Sequence, residues 1–340
     1  MPRTLIRYTA NGSSHWGVQF GQAIAPLAVD AISTGALLSH HWEQIWAVEP
    51  ARAAIPRDSV RLLPPVTSDQ QFICQGVNYS SHVHESGLSV SDFPFNTIFT
   101  KAPSCITSAD APVALPRHVQ LLDYEIELGL VLRRDLRAGT QVRSDDLSPW
   151  LAGVTIVNDL SARDIQLPQG QFYKGKSFRG FGPVGPGLVL LTPQEWGRWP
   201  ELHMRLAVNG QTRQDAYCRE MIHWPAATLT ELASVHDLHA GDLIATGTPA
   251  GCAARAPGKV AMFIVRHFMS DASKWEMFVR NGRKNPAYLR PGDRISASIR
   301  SDDGAIDLGE QTTVITTATE PLFARHPDVV AAARCTAGVS

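Results

Sequence analysis

Cysteine is scarce in this 340-residue chain: there are five, Cys74, Cys105, Cys218, Cys252 and Cys335, an odd number with no C-x-x-C pair. That spacing argues against a disulfide framework and a thiolate zinc site, and it suits a reducing compartment, so a cytoplasmic protein is expected. An excess of either charge is also missing. The 31 basic and 32 acidic side chains leave a formal net charge of -1, which gives no electrostatic footprint for nucleic acid or for an anionic membrane. No apolar run reaches the length of a membrane span, and the opening MPRTLIRYTANGSSHWG lacks the apolar core of a signal peptide. The expectation is a globular chain long enough for one large domain or two.

What is present is a concentration of carboxylates inside an apolar strand. In LLDYEIELGLVL the two-residue alternation sends Asp123, Glu125 and Glu127 to one face and Tyr124, Ile126 and Leu128 to the other. Like charges on one face repel, and Gly129-Leu130-Val131-Leu132 reads as buried, so the arrangement is costly unless a cation compensates it. A hard divalent metal held by carboxylate oxygens is one solution. A solvated acidic sheet edge is the other, and this stretch alone does not choose.

Taken in order, residues 3 to 30 read as short strands, HWEQIWAVEPARAAI as a helix and VRLLPPV as a strand, giving a small β-rich amino-terminal domain over residues 1–69. QFICQG then reads as a strand and a Gly76 turn, followed by a helix that sets His82 and Glu85 one turn apart. That pair is either a solvated helix face or a base with the carboxylate that orients it. RDLRAGTQVRSDDLSPWL reads as a turn and short helix. In AGVTIVNDLSARDIQ a strand ends at Asp159 and a helix opens at Ser161, so Asp159 is either a helix cap or an oxygen ligand, with Arg163 and Gln166 aimed from the helix.

Gly170 to Ser177 matches G-x-x-x-x-G-K-S, but it follows a helix and runs into Gly180, Gly182 and Pro183, which is the wrong context for a phosphate-binding loop. Lys176 remains as a cation on a glycine-bounded loop, either a surface lysine or a contact for a developing oxyanion. Asn209-Gly210 signals a hairpin. In LIATGTPAG, Thr248 and the backbone at Gly247 offer hydrogen bonds to a substrate oxygen, or the glycine serves the turn alone.

The strings GVNYSSHVHE, DYEIELGLVL, VNDLSARDIQ, KGKSF, AVNGQTRQ and AGDLIATGTPAG, in that order over about residues 70 to 315, resemble the fumarylacetoacetate hydrolase family, including its acylpyruvate hydrolase and 2-hydroxyhepta-2,4-diene-1,7-dioate isomerase-like members. The resemblance implies a mostly β (α+β) mixed sandwich roll with few helices, a catalytic domain over 70–320, a tail at 321–340 and a homodimer. It implies Glu125, Glu127 and Asp159 as ligands of Mg2+ or Mn2+, with Ca2+ also accepted in crystals, and Asp123 behind them. It implies His82 with Glu85 as a water-activating dyad, Lys176 as a catalytic cation, and Arg163, Gln166 and Thr248 as substrate contacts. Two departures stand out: Arg179 replaces the acid that many members carry after Lys-Ser-Phe, and residues 256–284, with Met262, Phe263, Phe268, Trp275, Met277 and Phe278, form an insertion expected to act as a lid or interface. The implied reaction on a small keto-acid substrate is C–C hydrolysis of a β-diketone or acylpyruvate. Its rivals are decarboxylation or keto-enol isomerisation of a small dicarboxylic keto acid, and a catalytically idle metal or small-molecule binder.

Overall fold

The computed structural model describes residues 1–85, 89, 95–255 and 271–318; Met262, Phe263, Phe268 and the tail at 321–340 lie outside them. The strands are β1 (Arg3–Ala10), β2 (Ser13–Phe20), β3 (Ala23–Pro26), β4 (Ile55–Pro56), β5 (Arg61–Leu63), β6 (Phe72–Gly76), β7 (Thr97–Lys101), β8 (Ile106–Ser108), β9 (Val113–Leu115) and β10 (Leu122–Asp123). They continue as β11 (Ile126–Leu132), β12 (Leu151–Asn158), β13 (Ser161–Ala162), β14 (Gly182–Val184), β15 (Leu188–Leu190), β16 (His203–Val208), β17 (Gln211–Tyr217), β18 (Leu243–Ala245), β19 (Arg294–Arg300) and β20 (Asp307–Thr317).

Among the described residues these strands make a mixed 13-stranded sheet with the path β4-β3-β2-β1-β15-β12-β11-β18-β6-β7, a 5-stranded sheet β17-β16-β19-β20-β9, and the ribbon β10-β13. Alternation explains how the sheets pack. Ile126, Leu128, Leu130 and Leu132 of β11 enter a core shared with Met204, Leu206, Ile295 and Ile299 of the smaller sheet, while Val131 joins the core on the opposite face. Every position of β11 and β12 is buried, so any charge these strands carry must find its partner inside the protein. Between β16 and β17, Asn209 at φ 51 and Gly210 at φ 78 supply the two left-handed positions of a tight hairpin. The result is the mixed β roll with few helices.

The expected boundary near residue 69 falls between β5 and β6. Across it, Arg3, Thr4 and Leu5 pair with Leu190, Val189 and Leu188, and Leu5, Trp16, Leu37 and Ile45 share a core with Val131, Ala152 and Leu243. Two local expectations need correction. The helix expected over residues 41–55 forms only at its start, as α2 (Trp42–Ala47), and a separate helix, α1 (Thr34–His40), capped by Ser33, precedes it. Pro50, with its fixed φ, opens a separate 3-10 turn. No helix forms in RDLRAGTQVRSDDLSPWL, where Asp146 Oδ1 instead takes the N–H and hydroxyl of Ser148 ahead of Pro149.

The described end of the 256–284 segment is the helix Asp271–Gly282. It packs Phe278 and Val279 on the core between the sheets, and a Cβ at Gly282 would come within 2.6 Å of Leu121. Among the described residues no helix is long and apolar enough to cross a membrane.

Candidate metal centre

The acidic strand is interrupted where the sequence alternation runs on. Three successive N–H groups leave the ladder for side chains: Tyr124 N donates to Asp123 Oδ1 (2.9 Å), Glu125 N to Asn158 Oδ1 (3.0 Å) and Ile126 N to Gln214 Oε1 (3.0 Å). Residues 124 and 125 therefore belong to neither β10 nor β11. Past the break, Ile126 pairs with Asn158, and the next residue, Asp159, donates its N–H to Glu125 O at 2.8 Å. This crossing brings one oxygen each of Glu125, Glu127 and Asp159 within 4.8 Å of one another, all three buried, as a group that could hold a metal ion. Asp123 turns aside to accept the N–H groups of Ala253 (2.7 Å) and Ala254 (3.0 Å).

Asp159 does not cap a helix. Ser161 and Ala162 pair with Leu122 and Asp123 as β13, and helix α4 (Arg163–Gln169) opens only after Ala162, without a side-chain cap. The shift of two residues points Arg163 inward, at 6% exposure. Its Nε donates to Asp123 Oδ2 at 2.8 Å, Nη1 to Gln166 Oε1 at 2.8 Å, and Nη2 to Glu125. Lys176 also differs from expectation. It is the last residue of helix α5 (Phe172–Lys176), is 3% exposed, and donates to both Glu125 and Asp159. A Cβ at Gly175 would come within 2.7 Å of Gln166 Cβ, so glycine there allows α5 to lie against α4. The P-loop resemblance fails on the same point, since Lys176 closes a helix rather than opening one. Arg179 is exposed.

Lys101, which the sequence reading passed over, supplies a third cation. At the end of β7 it is 1% exposed, and its Nζ donates to Asp159 Oδ1 at 2.5 Å and to Phe181 O at 2.7 Å. The signal was weak because a lysine that ends a strand before Ala-Pro ordinarily points to water. Only the alternation with Phe99, whose ring lies 5.1 Å from Lys176 Nζ, hints that it faces inward.

The electrostatics follow from this pairing. Burial opposes the charge on Glu125, but Arg163 and Lys176 outweigh it and hold its carboxyl well below the usual range. Lys176 and Lys101 are likewise held protonated: burial opposes their charge, and Asp159 and its neighbours overcome it. Glu127 is the exception. It accepts the Gly247 N–H at 2.8 Å and has no ion pair among the described residues. Burial, then Asp159 and Glu125, push its carboxyl far above the ordinary value. An all-oxygen, buried donor set with one carboxylate lacking a basic partner is what a hard divalent ion fits.

His82 lies on helix α3 (Ser80–Glu85). The preceding turn is made by Val77 at φ 57 rather than by Gly76. This strained position for a β-branched residue is held by Asn78, whose side chain bonds His223 and Thr246. Burial lowers the His82 pKa despite the opposing charge of Glu125, so the ring is neutral near pH 7. Its buried Nδ1 has no hydrogen-bond partner among the described residues. Glu85 acts on that ring by charge, while its Oε2 accepts the Gly251 N–H at 2.7 Å and its Oε1 lies 3.4 Å from Arg255 Nε. Thr248 donates to Ile126 O at 2.9 Å and accepts from Gln214 Nε2 at 2.8 Å, so its proton ties the TGTPAG loop to β11. Gln214 is a second residue the sequence reading missed.

A β roll that buries a carboxylate triad among basic side chains, with a neutral histidine beside it, defines the class: an enzyme fold with a candidate metal centre. The model of the fumarylacetoacetate (FAA) hydrolase C-terminal family matches residues 71–316, and the chain belongs to that family, whose members include hydrolases, isomerases and tautomerases. The mitochondrial oxaloacetate tautomerase Fahd2a of Rattus norvegicus is 30% identical over 246 residues, covering 72% of this chain and 68% of that protein. The fumarylacetoacetate hydrolase from Exiguobacterium antarcticum aligns with a TM-score of 0.71 and 29% identity, over 93% of this chain and all of its own. The 2-hydroxyhepta-2,4-diene-1,7-dioate isomerase from Mycobacterium marinum, at 24% identity, TM-score 0.66 and coverage of 94% and 100%, shares the fold.

Proposed function

We propose that this protein hydrolyses a carbon–carbon bond in a β-diketone or acylpyruvate-type keto acid, with Mg2+ or Mn2+ held by Glu125, Glu127 and Asp159. When bound, the ion supplies Lewis acidity and a template for the substrate's carboxylate and keto oxygens. The observation that carries the reading is His82: a half-buried imidazole, neutral by desolvation, with its buried Nδ1 free of protein partners among the described residues and the acidic cluster beside it. Such a ring is ready to accept a proton from water, and Glu85 stabilises the imidazolium that results. The hydroxide adds to the acyl carbonyl, whose oxyanion meets the Lys176 ammonium. The C–C bond then breaks, its electron pair passing to the keto-acid fragment as an enolate, which is protonated to the ketone while the acyl fragment leaves as a carboxylic acid. Arg163 gives its Nη1 to the Gln166 carbonyl oxygen, which leaves the Gln166 amide N–H groups for substrate. The same reading takes the protein as a homodimer, which sedimentation analysis tests.

A second reading, keto-enol isomerisation or decarboxylation of a small dicarboxylic keto acid, is favoured by the 30% identity to an oxaloacetate tautomerase. It uses the same base and cations without an attacking water. Acylpyruvates and oxaloacetate offered in oxygen-18 water separate the two. Label in the released carboxylic acid supports hydrolysis, and turnover of oxaloacetate alone, without cleavage of any acylpyruvate, overturns it.

A further inference from the structure

Asp159 is held by two buried lysines whose other partners differ. Among the described residues Lys176 Nζ bonds only carboxylates, those of Glu125 and Asp159, and it sits at the end of a five-residue helix. Lys101 Nζ takes Asp159 Oδ1 at 2.5 Å and is tied to the main chain by Phe181 O at 2.7 Å and Leu160 O at 3.5 Å. Its three donors have three oxygen partners, two of them main-chain carbonyls, and neither its side chain nor that of Asp159 is exposed at all. With all three donors engaged by protein oxygens, the ammonium has none left for substrate. Two of its oxygen partners are backbone carbonyls flanking the site, so the ammonium is set by the fold rather than by the carboxylate. Asp159 is therefore the partner that is positioned: with Oδ1 fixed on Lys101, Oδ2 is turned toward Glu125 and Lys176.

We propose that Lys101 is the positioning residue of the metal centre, fixing the rotation of the Asp159 carboxylate so that its second oxygen joins those of Glu125 and Glu127. The assignment rests on the metal-site reading above, and the test keeps the two apart. Chelator-stripped wild type, Lys101→Met, Asp159→Asn and the double variant are titrated with Mn2+ by calorimetry, and the Mn2+ electron paramagnetic resonance spectrum of each is recorded. If Lys101 acts through Asp159, Lys101→Met weakens Mn2+ binding at least tenfold and broadens the spectrum in the wild-type background. In the Asp159→Asn background it changes affinity less than about twofold. Additive losses in the two backgrounds would mean that Lys101 only supports the fold, and would overturn the assignment with the metal site intact. No Mn2+ binding by the wild type would instead remove the metal site itself. Should Lys101→Met fail to fold, Lys101→Gln, which keeps a donor, is carried through the same cycle and read by the same criterion.

Discussion

In the buried cluster the side chains of Asp123, Glu125 and Asp159 are at most 5% exposed, whereas the cluster of Asp215, Asp302 and Asp303 leaves 41%, 70% and 55% of those side chains in water. Both are built from acids, basic partners and a histidine. On the 5-stranded sheet Asp215 meets His203 Nε2 at 2.5 Å and Arg205 Nη2 at 2.8 Å, Tyr217 Oη donates to Asp302 at 3.0 Å, and Arg219 stacks 3.9 Å over the Tyr217 ring. Water and salt screen those contacts, so little depends on any one of them. In the buried cluster there is no solvent to share the charge, and each cation fixes a carboxylate in place. Composition and spacing of acids do not make a site; enclosure with defined partners does.

The contrast can be tested by removing comparable parts from each side. The largest effect expected is on metal removal: chelation abolishes turnover, and added Mg2+ or Mn2+ restores it, checked by a steady-state assay before and after dialysis. Persistent activity in a chelated, metal-analysed sample would mean that the buried acids serve the fold alone. Next, Arg163→Leu leaves Asp123 and Glu125 without their shared guanidinium and costs about 3–5 kcal/mol in urea denaturation. A loss under about 1 kcal/mol would place the cluster with the surface one.

His82→Gln should lower kcat by about 10²–10⁴ with Mn2+ affinity retained in calorimetry, and unchanged kcat would remove the proton-transfer role. The pH profile sharpens this. Burial lowers the His82 pKa below its ordinary value of about 6.5. Because a base must be unprotonated to work, kcat/KM rises through that lowered value and is flat at neutrality. A limb from this group still climbing above about pH 8 would contradict a lowered pKa. The smallest effect is at the surface, where Asp215→Asn should shift stability by under about 1 kcal/mol, and less in high salt.

Much of this site is legible in the chain because strands keep their alternation. Glu125, Glu127 and the strand end at Asp159 are local features of sequence, as is the helical spacing of Arg163 and Gln166. The partners are not. Lys101 reaches Asp159 across 58 residues, and Gln214 reaches Ile126 across 88, distances over which no local periodicity carries information. The interruption at residues 124–125 was hidden for the same reason, since the side chains that replace its ladder bonds include Asn158 and Gln214. The helix expected from Ser161 starts two residues later, at Arg163, because Ser161 and Ala162 pair with Leu122–Asp123, and that pairing outcompetes the capping signal.

Whether one divalent ion is shared by the three buried carboxylates can be seen in a crystal of the protein soaked in Mn2+. A single anomalous peak is expected, bonded at about 2.0–2.2 Å to one oxygen each of Glu125, Glu127 and Asp159. Strong peaks elsewhere with none among these three oxygens, at saturating Mn2+, would contradict it.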